Sequence, residues 1–304
     1  MNGRCGLGCW VAVGALLCAS GASGGQTPTQ PPRWAAAVDA ALGRHGTVNP
    51  GDVYKFSFPR SDMHVTVDGI PLKPALALGS WVAFKPTTGG KAMVMGDIVL
   101  GESEVGPVMK ALQDGGVEQT ALHNHLLMES PRVMYMHIMA MGDATKIAQT
   151  IHAALALSAT PLDAPSAPVS AAAIDLDTGA IARALGYTGT VNGGVYQVSV
   201  PRAETIHDGK ETIPPAMGTA TAINFQPTGS GKAAITGDFV LLAREVNPVL
   251  GALRRYGIQV TAIHSHMLTE TPRLFFVHFW ANDHAVTLAH GLRAALEKTN
   301  RRRP

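Results

Sequence analysis

Residues 96–141 and 237–282 are identical at 21 of 46 positions, at a constant offset of 141. A tandem duplication is the economical source of such agreement, and it restricts the chain to folds in which one unit is built twice. Two copies are fewer than a solenoid needs, which leaves two homologous halves packed as a pseudo-symmetric pair. In a chain of 304 residues each half is long enough to bury its own core. The boundaries that follow are repeat 1 at 33–158, an Ala/Pro/Ser linker at 159–170 and repeat 2 at 171–298. The linker has little to pack.

Within a copy, Tyr54, Phe56 and Phe58 alternate with polar residues and predict a strand with one apolar face. WVAF and KAMVMGDIVL predict two more, separated by the turn residues TTGG. Pro107 is expected to open a helix, where its missing N–H costs nothing, and Gly115 and Gly116 to end it. The strand VEQTALHNHLL, the turn MESP and the strand RVMYMHIMAM follow, and a helix from Ala144 to Leu157 closes the unit. The second half replays this order. Strand, helix, strand, strand, helix puts helices on one face of a mainly antiparallel sheet, an α+β fold in each repeat.

The chemistry concentrates in the duplicated stretch. TALHNHLLMESPRVMYMHIMA carries His123, His125, Glu129 and His137; TAIHSHMLTETPRLFFVHFWA carries His264, His266, Glu270 and His278. Six of the twelve histidines fall in this pattern. Alternate residues of a strand share a face, so His123 and His125 project together about 7 Å apart. If MESP makes the turn, His137 comes opposite or diagonal to His125, with Cβ atoms about 5 Å apart. Glu129 keeps the same parity if the strand runs on to it. Three imidazoles and a carboxylate suit Zn, Mn, Fe, Ni or Cu. The spacing His-x-His-x₃-Glu also resembles the first metal motif of cupins. That resemblance is confined to the ligand spacing, because His137 lies only eight residues past Glu129 and the helices do not belong in a jelly roll.

A plainer account keeps the histidines as core residues bonded to backbone. Against it, three imidazoles buried side by side need three separate hydrogen-bond solutions, twice over. Arg132 and Arg273 follow the glutamates and either hold an anionic ligand near a metal or fix the turn by an ion pair to Glu104 or Glu129. Asp97 and Asp238, each in a Gly-Asp pair at a strand, are candidates for a general base or for orienting a histidine, against a turn-stabilising role. Catalytic residues are otherwise open. Glu104 and Glu245 suit a helix N-terminus. The methionines of the first hairpin would suit Cu(I), but the second copy replaces most of them, so packing explains them better. The first copy has the stronger claim to a site, since Asn124 and Tyr135 stand where the second has Ser265 and Phe276.

Residues 1–24 have the form of a secretory signal, with Arg4, an apolar run from Trp10 to Leu17 and then small residues. The run is too short to span a membrane. Cys5, Cys9 and Cys18 all lie within residues 1–24, so cleavage leaves a cysteine-free, exported protein, periplasmic or extracellular. Lipid attachment at Cys18 is disfavoured because Leu17 occupies a position that normally carries a small residue. With 24 Lys plus Arg against 22 Asp plus Glu, nothing suggests nucleic acid as a partner. A small-molecule ligand remains open. No nucleophile elbow, P-loop, dinucleotide fingerprint or CxxC pair occurs after residue 24.

The set GD-x-VL, E-V-x-P-V, TA-x-H-x-H and E-x-PR with its following histidine, present in both halves, resembles an exported bacterial family. It is the family typified by the mycobacterial lipoproteins LppY and LpqO, a domain of unknown function. The resemblance covers nearly all of the chain after residue 24 and implies export, but it brings no established activity. The sequence therefore predicts a two-repeat protein with a divalent metal in each repeat, or at one surviving site. A metal-dependent enzyme, an envelope metal carrier or sensor, and a metal-free binding or structural module remain the alternatives.

Overall fold

The computed structural model describes Met1, residues 30–163 and residues 173–304. The signal-like segment with its three cysteines, and most of the Ala/Pro/Ser linker, lie outside these residues. Repeat 1 runs through α1 (Ala35–Leu42), β1 (Thr47–Asn49), β2 (Val53–Pro59), β3 (Thr66–Val67), β4 (Ile70–Pro71), α2 (Pro74–Ala77), β5 (Gly79–Pro86), β6 (Ala92–Gly101), α3 (Glu102–Asp114), β7 (Glu118–His123), β8 (Glu129–Ser130), β9 (Val133–Gly142) and α4 (Ala144–Leu155). Repeat 2 follows as α5 (Thr178–Leu185), β10 (Thr190–Asn192), β11 (Val195–Pro201), β12 (Ile206–Asp208), β13 (Glu211–Ile213), β14 (Ala220–Gly229), β15 (Lys232–Leu241), α6 (Ala243–Arg255), β16 (Gln259–His264), β17 (Glu270–Thr271), β18 (Phe275–His284) and α7 (Ala285–Leu296).

Each repeat forms a six-stranded antiparallel sheet, ordered β1-β2-β5-β6-β9-β7 in the first and β10-β11-β14-β15-β18-β16 in the second. Alternation sorts the side chains. In β9, Met136, Ile138 and Ala140 join the core beneath α1, α3 and α4, while Tyr135 and Met139 face away from it. In β18, Val277, Phe279 and Ala281 join the equivalent core beneath α5, α6 and α7, and Phe276 and Trp280 face away. The faces turned from the helices meet each other. One shared cluster joins Val53, Met93, Met95 and Met139 to Val240, Leu242, Leu274 and Phe276. The molecule is therefore helices, sheet, sheet, helices, with the two sheets in contact.

Each repeat also reaches across to its neighbour. Residues Ala75 and Leu76 of α2 accept hydrogen bonds from Gln197 (2.8 Å) and Asn224 (3.2 Å) on the second sheet. In return, the turn at Pro215–Met217 offers the Ala216 carbonyl to Lys55 Nζ at 3.1 Å. These arms close the sides of the space between the sheets.

The helix expected to open at Pro107 starts earlier, at Glu102. The Gly101 N–H donates to the Glu104 carboxylate at 2.8 Å, and Leu242 N–H does the same to Glu245. These third-position glutamates fix the start. Pro107 and Pro248 then sit inside their helices and each leaves one carbonyl a turn earlier without an intrahelical donor.

Candidate metal centre

Register decides which residues share a row on the inner face. Asp97 of β6 pairs with His137 of β9, which pairs with Ala121 of β7. The second sheet repeats the row as Asp238, His278 and Ala262. Paired residues of antiparallel strands point to the same side, so both aspartates stand mid-strand beside a histidine and face the opposite sheet. The turn-stabilising alternative for them does not hold.

β7 shifts register between Gln119 and Ala121, and β16 between Val260 and Ala262. The residue at each irregularity is a threonine that reaches across the molecule. Thr120 Oγ1 donates to the His266 carbonyl at 2.6 Å, and Thr261 Oγ1 donates to the His125 carbonyl at 2.6 Å. Each histidine segment is thus held by the other repeat.

The two expected donor sets do not lie apart. All six histidines form one cluster. Ring centroids of His123 and His264 lie 3.7 Å apart, those of His137 and His266 3.7 Å, and those of His125 and His278 3.9 Å. Within the repeats, His123 and His137 are 5.1 Å apart and His264 and His278 4.8 Å. Two sets offer ligand atoms mutually within 4.8 Å: His123, His264, His266 and His278, and His123, His125 and His137.

The glutamates take another place. β7 ends at His123 rather than running on through Leu127, so strand parity does not carry Glu129 to the imidazoles. Instead the backbone N–H of Val133 donates to Glu129 at 3.2 Å, and that of Leu274 to Glu270 at 2.8 Å. Neither carboxylate belongs to the histidine sets. Arg273 donates to the carbonyls of Met267 and Leu268 and to Glu270, which ties its loop together. Arg132 is exposed and reaches Glu102 at 3.7 Å. Both arginines lie at the loops rather than among the histidines. Glu104 and Glu245 pair instead with Arg60 and Arg202.

The carboxylates nearest the imidazoles are the aspartates. Asp97 lies 3.8 Å from both His125 Nε2 and His137 Nε2, and Asp238 3.4 Å from His266 Nε2. Burial pushes the Asp97 carboxyl up to about 7, with Lys55 opposing. Asp238 is raised well above the usual range, first by burial and then by Asp97. Burial also lowers all six imidazoles, His123 to about 4 and His278 to about 3, with His123 adding to the shift at His278 and several neighbouring histidines at the other four. The rings are neutral near pH 7, the form that binds metals.

Two rings are already oriented as ligands usually are. His123 Nδ1 lies 3.0 Å from the Asn124 carbonyl and His278 Nδ1 2.8 Å from that of Gly237. Donation there puts the proton on Nδ1 and leaves Nε2 as a lone pair pointing inward. His264 Nε2 and His266 Nε2 are 2.8 Å apart, so one of them donates to the other. Buried without any hydrogen-bond partner are Nε2 of His123, His125, His137 and His278, Nδ1 of His264, and Oδ1 of Asp97 and Asp238. Tyr135 and Phe276 stack beneath His125 and His266, at 3.3 and 3.6 Å between centroids. The cavity lined by His137, His266, Thr120 and Trp81 holds about 10 Å³, room for one water.

Lys55 is the neighbour that sequence reasoning passed over. Its alternation marks it as facing away from Phe56 and Phe58, but nothing local says that this side is buried. Nζ sits 4.0 Å over the Trp81 ring, and burial brings its pKa down to about 8, with Asp97 opposing. The second repeat has Gln197 in the equivalent place beside its tyrosine, so the cation is unique to repeat 1.

A family profile described as Domain of Unknown Function (DUF1259) matches residues 36–157 and again 179–298. No curated protein matches the chain. Among solved structures, a trimeric bacterial microcompartment shell protein PduB is 12% identical, over 83% of this chain and 89% of that one, with a TM-score of 0.21. EtuB from Clostridium kluyveri is 10% identical, over 83% and 90%, with a TM-score of 0.19. Likeness at that level carries no inference about this chain.

Proposed function

We propose that this chain, which belongs to the family described as Domain of Unknown Function (DUF1259) and carries its domain twice, binds divalent transition metal where its two copies meet. The observation that carries this reading is the set of seven unpartnered donor atoms buried in one place. A buried polar atom without a partner costs about 1–3 kcal/mol. So many together, all of metal-ligating type, have their simplest remedy in a cation. Nitrogen-rich donors with carboxylates fit Zn, Mn, Fe, Ni or Cu.

Storage or delivery of the metal is favoured over turnover of a bulky substrate, because the cavity touching the cluster has room only for water. If the centre is catalytic, its reactant is of that size, and the metal supplies an activated water or a bound small molecule. Export belongs to the same reading. It rests on the signal-like residues 1–24 and the likeness to LppY and LpqO, with cleavage rather than lipid attachment at Cys18 as the processing route.

Elemental analysis of protein purified without a His-tag and reconstituted with Zn²⁺ tests the reading. Stoichiometric metal is expected, reduced in His125→Ala. No retained metal in the wild type and no difference in the variant would return the histidines to a structural role.

A further inference from the structure

We propose that the centre is dinuclear: one divalent transition-metal ion bound by His123, His125, His137 and Asp97, and a second bound by His264, His266, His278 and Asp238. The inference rests on the metal-binding reading above and adds the number of ions and the identity of the carboxylate ligands.

Donor count is the first support. Six imidazoles and two carboxylates converge, whereas a zinc-like ion takes four protein ligands, or three with a water. One ion would satisfy about four of the seven unpartnered atoms and leave the rest buried and bare. Two ions take up the four in the first repeat and, with His264 and His266 giving up their mutual contact, the three in the second.

His123 decides how the donors divide. It belongs to both histidine sets. Its Nδ1 is committed to the Asn124 carbonyl, so only Nε2 is available, and it cannot bridge two ions through both nitrogens. Two ions can be held together only if His123 serves one of them. Assigned to His125 and His137, it leaves His264, His266 and His278 as the other set. Each repeat then supplies three imidazoles.

The aspartates complete both halves. Asp97 is 3.8 Å from the Nε2 atoms of His125 and His137, too far for a hydrogen bond, and Asp97 Oδ1 and both nitrogens are unpartnered. Donors that share an ion at about 2.0–2.2 Å sit about 3–4 Å from one another, so this is the spacing of ligands in one coordination sphere. Asp238 lies 3.4 Å from His266 Nε2, an atom that also contacts His264 Nε2 at 2.8 Å, and an ion bound there would replace that contact. Rings of opposite repeats lie 3.7–3.9 Å apart between centroids, so the two donor sets face one shared space, as in a two-metal site.

Full-length protein without a tag, dialysed against Zn²⁺ and then freed of loose metal, is expected to retain two equivalents per chain. The Mn²⁺-loaded protein is expected to give the electron paramagnetic resonance spectrum of an exchange-coupled pair. His125→Ala with His137→Ala should lower zinc to one equivalent, and so should His266→Ala with His278→Ala. One equivalent in the wild type, or two that give only an isolated-ion spectrum, overturns the dinuclear centre while leaving metal binding intact. No retained metal overturns both. The wild-type stoichiometry and spectrum decide the matter even where a double variant does not fold.

Discussion

The two copies share a fold and a histidine pattern, but they close their loops differently. In the second copy Arg273 gathers two loop carbonyls and Glu270, and Phe276 carries no polar atom. In the first, Arg132 is exposed and bound to none of these, and Glu129 Oε2 and the Tyr135 hydroxyl are buried without partners. Burial raises the Glu129 carboxyl to about 7, against the pull of the Val133 N–H and Arg132. The helix anchors differ in the same sense, since Glu245 retains 5% of its side-chain exposure and Glu104 15%. One copy is braced. The other keeps polar groups uncommitted around a common centre, and with Lys55 it also holds the unmatched cation.

The largest test of this difference is at the anchors. Arg202 donates to the Val240 carbonyl and to Glu245 at 2.7 Å, all buried, and Arg60 does the same for Val99 and Glu104 with water nearer. Removing one partner of a fully buried pair costs about 3–5 kcal/mol. Losing hydrogen bonds to a more accessible charge costs about 1.5–3 kcal/mol. Arg202→Ala should therefore destabilise more than Arg60→Ala in urea unfolding, and equal losses would erase the distinction. The pH dependence has a definite sign. Burial pushes both glutamates up, but Arg60 and Arg202 with backbone donors outweigh it and hold them below the ordinary carboxylate range. A depressed folded pKa gives stability that is present above the unfolded value, about 4.3, and lost as pH falls through the folded one. Stability measured from pH 6 down to pH 3 should fall below about pH 4 in the wild type and fall less steeply in either arginine variant.

Much of this molecule could be read before its coordinates. The offset of 141 gave the two halves, and alternation at Tyr54, Phe56 and Phe58 gave the helix-covered face, because a strand pattern reports its own period. The meeting of the two histidine sets could not be read, since alternation says which residues share a face and not what that face touches. Thr120 and Thr261 looked like strand residues, and only the register irregularity turns them toward the opposite repeat. Parity carries Glu129 to the imidazoles only in a strand that continues past His123, and β7 ends there. The carboxylates at the centre, Asp97 and Asp238, instead come from neighbouring strands whose pairing no local spacing encodes.

The loops give a middle-sized test. Arg273 makes three charge-assisted contacts at 3.0–3.2 Å but is half exposed, so its removal should cost about 1–2 kcal/mol. Arg132→Ala should change stability by less than about 0.5 kcal/mol, as exposed ion pairs do. Hydrogen exchange offers a local readout. Faster exchange at Leu274 N–H in Arg273→Ala, with no change at Val133 N–H in Arg132→Ala, would sharpen the contrast between copies. Matching effects would break it.

The smallest effect is expected where the first copy is made to resemble the second. Tyr135→Phe removes a hydroxyl that has no partner and keeps the ring stacked on His125. Deleting an unsatisfied buried group returns part of its desolvation cost, so thermal unfolding should show no loss and up to about 1 kcal/mol of gain. The ring itself is not a ligand, and the zinc content should stay as in the wild type. A loss of stability would mean that the hydroxyl is satisfied in solution. A loss of zinc with stability unchanged would make Tyr135 part of the coordination chemistry. The distinction between a braced second copy and an uncommitted first copy would then have a functional meaning, because the polar group that Phe276 lacks would be one the metal centre uses.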